Sequence, residues 1–210
     1  MRIQLYLHML NLGADNEKYK NKYRIASARL TGWDYRSNGL YYITICTLNR
    51  THYFGEIVGL DVETQNIASL NVNESKTQNI ASLQKTPIAE IAEINWLDIP
   101  KHFPFVELDE FVLMPNHIHG ILYFNNPDKI DWKPNKFGVQ SQNLGSVIRG
   151  FKASVKTYAT INNIEFGWQP RYYDHIIRNE REYLNISNYI FDNPMQGLLN
   201  GDNEDNLYIP

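Results

Sequence analysis

Two histidines in the middle of the chain have the type and spacing of metal ligands. His117 and His119 flank one hydrophobic residue in the run Leu113-Met-Pro-Asn-His-Ile-His-Gly-Ile-Leu122. Side chains of a β-strand alternate between its two faces, so both imidazoles point the same way if this run is extended. Two convergent imidazoles are typical of a site for a divalent metal ion.

Two polar residues near the C-terminal end could complete this site. Tyr189 and Asn193 lie four residues apart in a helix-like segment, which places them on one face. The Asn193 amide could supply an oxygen ligand, and Tyr189 is a candidate nucleophile once a metal or cation assists its deprotonation. Attack on phosphorus would form a phosphotyrosine bond and release a 3′-hydroxyl. The pattern therefore suggests covalent cutting of a phosphodiester, which the same site could rejoin without ATP.

The surrounding pattern predicts the elements that position these residues. Strands are predicted over residues 40–48, 53–58, 106–114 and 117–124, and helices over 88–97 and 144–160. A last helix is predicted to begin after an Asn179 cap, with Glu182 at the reciprocal position, and to end at Asn193-Pro194. Residues 168–178 are half-extended and rich in aromatics. This order predicts an α+β domain in which helices cover a mostly antiparallel sheet.

Length and composition describe an ordinary globular chain. Its 210 residues fit one domain with additional segments. The net charge of −3 argues against a generally basic protein that coats DNA. The single cysteine, Cys46, excludes an intrachain disulfide framework and fits a reducing cytoplasm. No apolar stretch approaches the ~18 residues that span a bilayer. We therefore expect a cytoplasmic protein with no membrane partner.

A short duplication interrupts the otherwise regular pattern. Thr64–Leu70 recurs as Thr77–Leu83, both with the sequence Thr-Gln-Asn-Ile-Ala-Ser-Leu. Two copies are too few for a solenoid, so we interpret residues 60–87 as a surface insert. Residues 1–23 are predicted to be a flexible lead, 24–200 a single domain that carries this insert, and 201–210 a tail.

Several positive residues indicate where nucleic acid could bind. Arg149, Lys152 and Lys156 fall on one face of the helix predicted over 144–160. The alternative interpretation is that this face is only solvated. Together with Arg171 and Arg178 they suit phosphate contacts, which position a strand without reading its sequence.

Several strings together resemble a known family, the single-tyrosine HUH transposases, and within it the REP-associated tyrosine transposases. The similarity lies in the histidine run, in Trp168-Gln-Pro-Arg-Tyr-Tyr-Asp-His-Ile-Ile-Arg-Asn179 and in Tyr189-Ile-Phe-Asp-Asn-Pro194. It extends to Arg24–Arg29, Tyr41–Thr47 and Ile99–Val106. It covers about residues 24–60 and 88–200 and leaves out the duplicated insert.

This resemblance implies a fold, a reaction and roles for individual residues. The implied fold is a ferredoxin-like α+β domain with a central antiparallel sheet. His117 and His119 match the metal-binding pair, Asn193 the polar third ligand and Tyr189 the nucleophile, while Tyr172, Tyr173 and Tyr183 are rival nucleophiles. The implied reaction cleaves and rejoins single-stranded DNA near hairpins through a 5′-phosphotyrosine intermediate, with Mg²⁺ or Mn²⁺ as cofactor. A homodimer and a monomer both stay open.

Two other functions are compatible with the same residues. In the first, the protein is a metal-dependent phosphodiesterase in which water attacks and Tyr189 is structural. In the second, it is a regulator that binds hairpin DNA and does not cut it. Replacement of Tyr189 by Phe separates these alternatives.

Overall fold

The structure, a computed structural model, describes residues 33–59, 81–125 and 141–200. Six strands lie in these ranges: β1 (Gly39–Cys46), β2 (Gly55–Gly59), β3 (Ala81–Lys85), β4 (Val106–Met114), β5 (His117–Phe124) and β6 (Tyr173–Ile177). The same ranges contain four α-helices: α1 (Pro87–Leu97), α2 (Ile99–His102), α3 (Leu144–Ile161) and α4 (Glu180–Asn200). A 3₁₀ turn, Leu48–Arg50, follows β1.

The central sheet has four strands in the order β4-β5-β1-β6, and every neighbouring pair is antiparallel. Helices α1 and α2 connect β1 to β4, and α3 connects β5 to β6. This βαββαβ arrangement is ferredoxin-like and confirms the predicted α+β fold class. Strands β2 and β3 form a separate antiparallel hairpin between β1 and α1.

One face of the sheet is covered by α1 and α3. Trp96 of α1 is fully buried, and its ring packs edge-on against Phe151 of α3 at 5.3 Å between centroids. A Cβ atom on Gly120 of β5 would lie 2.4 Å from the Trp96 ring. The glycine after the two histidines therefore allows the indole to pack directly on the strand.

Helix α4 lies on the other face of the sheet. Ile186 and Ile190 are buried in a cluster with Tyr42, Ile121 and Ile177, which belong to β1, β5 and β6. Burial of such side chains stabilises this packing by roughly 1.5–3 kcal/mol each. The cluster fixes the helix that carries Tyr189 and Asn193 over the face that carries the histidines.

Some boundaries differ from the predictions. The last helix does not end at Asn193-Pro194 but continues to Asn200 with Pro194 inside it. A proline in a helix removes one backbone hydrogen bond, and the tertiary packing of α4 compensates for this loss. The end of the predicted insert, Ala81–Lys85, forms β3 rather than a loop. The half-extended segment contains β6.

Several predictions concern residues outside the described ranges. They include the lead at 1–23, the family-like stretch Arg24–Arg29, most of the duplication and the tail at 201–210. Among the described residues, no helix combines the length and apolar character needed to cross a membrane.

Candidate active site

Strand β5 brings both histidines to the face of the sheet beneath α4. Its register with β1 sets Thr44 opposite His119 and Cys46 opposite His117. Both imidazoles are buried, and their ring centroids are 4.5 Å apart. The structure therefore brings the two predicted metal ligands together, as the period-2 spacing requires.

Two hydroxyl groups of β1 hold His119 from one side. Its Nδ1 lies 2.9 Å from the Tyr42 hydroxyl and 2.9 Å from Thr44 Oγ1. The Thr44 hydroxyl also donates to the Tyr42 hydroxyl at 3.3 Å. If the ring proton sits on Nδ1, these partners satisfy it and Nε2 keeps its lone pair. This is the tautomer that a metal site at Nε2 needs.

His117 has polar partners on two elements. Its Nδ1 lies 2.6 Å from Oδ1 of Asn116, the preceding residue in the β4–β5 turn. Its side chain also interacts with the side chain of Asn193 on α4, which acts to raise the pKa of His117. Asn116 and Asn193 are both buried. The third predicted ligand therefore lies next to the first, although they are 76 positions apart in the sequence.

The Tyr189 hydroxyl lies 3.2 Å from Nε2 of His119. The two rings meet edge-on, with their centroids 5.2 Å apart. Tyr189 is half-buried whereas the histidines are fully enclosed, so its side chain is the more accessible part of the cluster. All four predicted catalytic residues thus lie in one cluster where β5 meets α4.

Burial and nearby positive charge keep both histidines neutral. Burial, followed by the charges of Arg50 and His52, lowers the pKa of His117 from 6.5 to about 3. Burial, followed by the charges of His117 and Arg50, lowers the pKa of His119 well below its ordinary value. Neutral imidazoles have the free lone pair that metal coordination requires.

These residues fit a divalent metal ion. The donor set would consist of two neutral imidazoles and the amide oxygen of Asn193, and each Nδ1 already has a hydrogen-bond partner. Such partners orient imidazole ligands in metal sites. Within the three described ranges, no group of three or more His, Cys, Asp or Glu could hold an ion. An amide oxygen is therefore the third protein donor that this cluster offers.

The rival tyrosines lie elsewhere or have other partners. The Tyr183 hydroxyl donates to Asp109 of β4 at 3.3 Å. Tyr173 belongs to β6, and its ring is 6.2 Å from that of Tyr42. Tyr172 lies immediately before that strand. Tyr42 does contact His119, but it is completely buried and contacts the Nδ1 side.

The predicted basic residues do not form one uniform surface. Lys152 donates to the carbonyl groups of Gln169 and Arg171, and burial lowers its pKa from 10.5 to about 8. Lys156 donates to the Phe166 carbonyl at 2.7 Å. Both lysines thus attach the segment before β6 to α3. Arg149, Lys156, Arg171 and Arg178 are the exposed residues of the predicted set.

Sequence reasoning missed four residues that surround the cluster: Tyr42, Thr44, Arg50 and Asn116. Asn116 directly precedes His117, so its proximity could have been noticed from the sequence. The other three depend on the pairing of β1 with β5, which no local pattern specifies.

Comparison with known proteins identifies two proteins of similar sequence. No family model matches it. A Haemophilus influenzae protein described as uncharacterised is 35% identical over 192 residues, which cover 87% of this chain and 92% of the relative. The Escherichia coli K12 REP-associated tyrosine transposase is 27% identical over 100 residues, or 48% of this chain and 50% of that protein.

A solved structure of a REP-associated tyrosine transposase bound to a REP hairpin is also similar. The similarity covers 82% of this chain and 74% of that one, with a TM-score of 0.49 and 18% identity. The chain thus belongs to the same family as the Haemophilus influenzae protein, and it resembles the REP-associated tyrosine transposases, as its motifs predicted.

Proposed function

We propose that the protein is a transposase that cleaves and rejoins single-stranded DNA near hairpins, using a divalent metal ion and Tyr189 as nucleophile. The observation that carries this proposal is the 3.2 Å contact between the Tyr189 hydroxyl and His119 Nε2. It puts a candidate nucleophile at the atom through which His119 would bind an ion. The resemblance to a REP-associated tyrosine transposase supports the choice of DNA as substrate.

Different residues of the chain would bind the metal ion and attack the phosphate. His117, His119 and Asn193 would hold Mg²⁺ or Mn²⁺, and the bound ion would polarise the scissile phosphate and neutralise its developing charge. The Tyr189 oxygen forms a bond to phosphorus while the bond from phosphorus to the 3′ oxygen breaks. The proton lost by the phenol balances the proton that the 3′ oxygen takes up. The resulting 5′-phosphotyrosine conserves a phosphoester bond, so reversal of the step rejoins the strands.

A covalent-adduct assay tests this proposal. The substrate is labelled single-stranded hairpin DNA from the sequence that flanks the gene, incubated with Mn²⁺. We expect a protein–DNA adduct that survives denaturation and requires the metal. Tyr189→Phe should abolish this adduct, because phenylalanine has no oxygen to attack phosphorus. Tyr183→Phe, on the same helix, is the matched control and should retain it.

The other outcomes identify the alternative functions. Cutting without an adduct, retained in Tyr189→Phe, would indicate a phosphodiesterase that uses water. Hairpin binding by wild type and variants without any cutting would indicate a DNA-binding regulator. An adduct lost in Tyr183→Phe instead of Tyr189→Phe would overturn the assignment of the nucleophile.

A further inference from the structure

The turn after β1 contains two consecutive non-glycine residues in the left-handed backbone conformation. Asn49 has a φ of 54° and Arg50 a φ of 56°. Asparagine visits the left-handed region readily, but for other L-residues with a long side chain it costs roughly 1–2 kcal/mol. Such backbone strain persists only where the surroundings impose it, and it clusters at functional sites.

Hydrogen bonds connect this turn to the candidate active site. The Thr47 hydroxyl lies within hydrogen-bond distance of two carbonyl oxygens, that of Thr51 at 2.7 Å and that of Asn116 at 2.9 Å. The backbone N–H of Thr47 donates to Asn116, and that of Phe54 donates to Pro115. The start of the turn, at Thr47, and the segment after it, at Phe54, are therefore hydrogen-bonded to the two residues that directly precede His117.

Arg50 brings a positive charge to the histidine pair from this turn. It is half-buried, and it lies three residues after Thr47, whose hydroxyl and backbone N–H both contact the carbonyl of Asn116 beside His117. Among the residues that the structure describes, no carboxylate forms an ion pair with its guanidinium. Glu56, close by in sequence, pairs with His52 instead, at 3.1 Å. A permanent positive charge near two neutral imidazoles favours the binding of an anion there.

We propose that Arg50 is a substrate-binding residue that contacts a non-bridging oxygen of the phosphate held at His117 and His119. The strained turn that follows β1 would present the guanidinium to the phosphate, and α4 would present the Tyr189 hydroxyl to it. Arginine suits this role because its planar, permanently charged group binds phosphate oxygens through paired N–H donors. This inference rests on the proposed function, since it deepens the description of the same site.

Three substitutions separate charge, shape and backbone strain. Arg50→Met removes the charge and keeps a long side chain, whereas Arg50→Lys keeps the charge without the paired donors. Arg50→Gly removes the side chain and relieves the left-handed strain, so it tests the inference even if Arg50→Met folds poorly. Arg181→Met is the matched control, because Arg181 is exposed at the start of α4.

The first measurement uses inorganic phosphate and does not depend on DNA cleavage. Protein with ¹⁵N-labelled histidine, saturated with Mg²⁺, is titrated with phosphate while the imidazole signals are followed by NMR. Wild type and Arg181→Met should bind equally, and Arg50→Met and Arg50→Gly roughly tenfold more weakly, the value of one charged hydrogen bond. Arg50→Lys should lie between them. Equal binding by wild type and Arg50→Met, or no binding by wild type, would overturn the inference.

The second measurement uses the covalent-adduct assay. Arg50→Met should form the Tyr189 adduct at least about tenfold more slowly than Arg181→Met at equal DNA concentration. If wild type forms no adduct, the proposed function fails, and the phosphate titration still decides whether Arg50 binds the anion. If adduct formation is normal in Arg50→Met, the inference fails and the proposed function stands.

Discussion

At the scale of single residues, the hydroxyl groups on β1 decide how His119 is presented. Tyr42 and Thr44 contact its Nδ1 from one side, and Tyr189 contacts Nε2 from the other. A ring held in this way cannot rotate without losing buried hydrogen bonds, each worth about 1 kcal/mol. The orientation of the histidine therefore depends partly on Tyr42 and Thr44, two residues that have no role in the proposed attack.

We expect Tyr42→Phe to lower the affinity for Mn²⁺ roughly tenfold, because loss of such an outer partner typically weakens a metal site by 10–100-fold. Tyr41→Phe is the matched control. Its hydroxyl donates to the Ser37 carbonyl at 2.8 Å and lies on the other face of β1. Calorimetric titration of both variants and wild type with Mn²⁺ measures the difference. Equal affinities in the two variants would contradict the role assigned to Tyr42.

The low pKa values of the buried histidines predict a loss of stability in acid. In the unfolded chain His117 binds a proton below about pH 6.5, whereas in the folded protein its pKa is about 3. Between these values the unfolded state binds more protons, so the free energy of unfolding falls as the pH falls. The slope is about 1.4 kcal/mol per pH unit for each such imidazole, and His119 contributes in the same direction.

Urea unfolding of the metal-free protein at several pH values between about 6.5 and 5 measures this slope, in a range where most carboxylates stay ionised. His117→Gln should remove about half of the histidine contribution to the slope, because His119 keeps its own. The expectation is contradicted if the stability of wild type does not change across this range, or if His117→Gln leaves the slope intact.

At the scale of elements, the contact between β5 and α1 limits the size of the side chain at position 120, directly after His119. Gly120→Ala would place a Cβ atom 2.4 Å from the buried Trp96 ring, and the indole could not move away without disturbing Phe151. We expect a loss of about 1–3 kcal/mol in the free energy of unfolding, as for other overpacked cores. Urea denaturation measures this loss.

Gly150→Ala in α3 is the control for this substitution. Its Cβ would lie 3.2 Å from the Phe103 ring, a milder approach. Alanine also favours a helix over glycine by about 1 kcal/mol, which offsets the crowding. A stability loss in Gly150→Ala as large as that in Gly120→Ala would show that the Trp96 contact is not the cause.

At the scale of the whole molecule, the proposed DNA binding would rely on a local positive patch, because the net charge is −3. Single-stranded DNA should bind with a salt dependence whose slope falls by about 0.7 for each phosphate contact removed. We expect Arg149→Gln to reduce the slope by about this amount. Lys152→Gln should reduce stability instead, because the lysine amine holds the segment before β6.

Fluorescence anisotropy with the hairpin oligonucleotide at several salt concentrations tests whether Arg149 acts in DNA binding and Lys152 in stability. All variants carry Tyr189→Phe so that no cutting occurs. Urea unfolding of the same variants reports stability. A flat salt response in the parent protein would remove the proposed phosphate patch. A reduced slope in Lys152→Gln with unchanged stability would assign that lysine to DNA rather than to the fold.

The sequence by itself determined the features that depend on short-range periodicity. The side chains of His117 and His119 share a face because a strand repeats every two residues, and Tyr189 and Asn193 share one because a helix repeats every 3.6. The Asn179 cap is equally local: its side chain accepts the Glu182 backbone N–H at 2.9 Å, as predicted. Glu182, however, accepts the N–H of Arg178 rather than that of Asn179.

Only the tertiary structure decided which of these faces meet. Packing of Ile186 and Ile190 against Tyr42 places α4 over the histidines, and the register of β1 with β5 adds Thr44 to the site. Tertiary packing also engages Lys152 with backbone carbonyls, and it brings the turn that carries Arg50 next to Asn116. These outcomes depend on pairings between distant segments, whose energies come from buried area and hydrogen bonds that no local sequence pattern encodes.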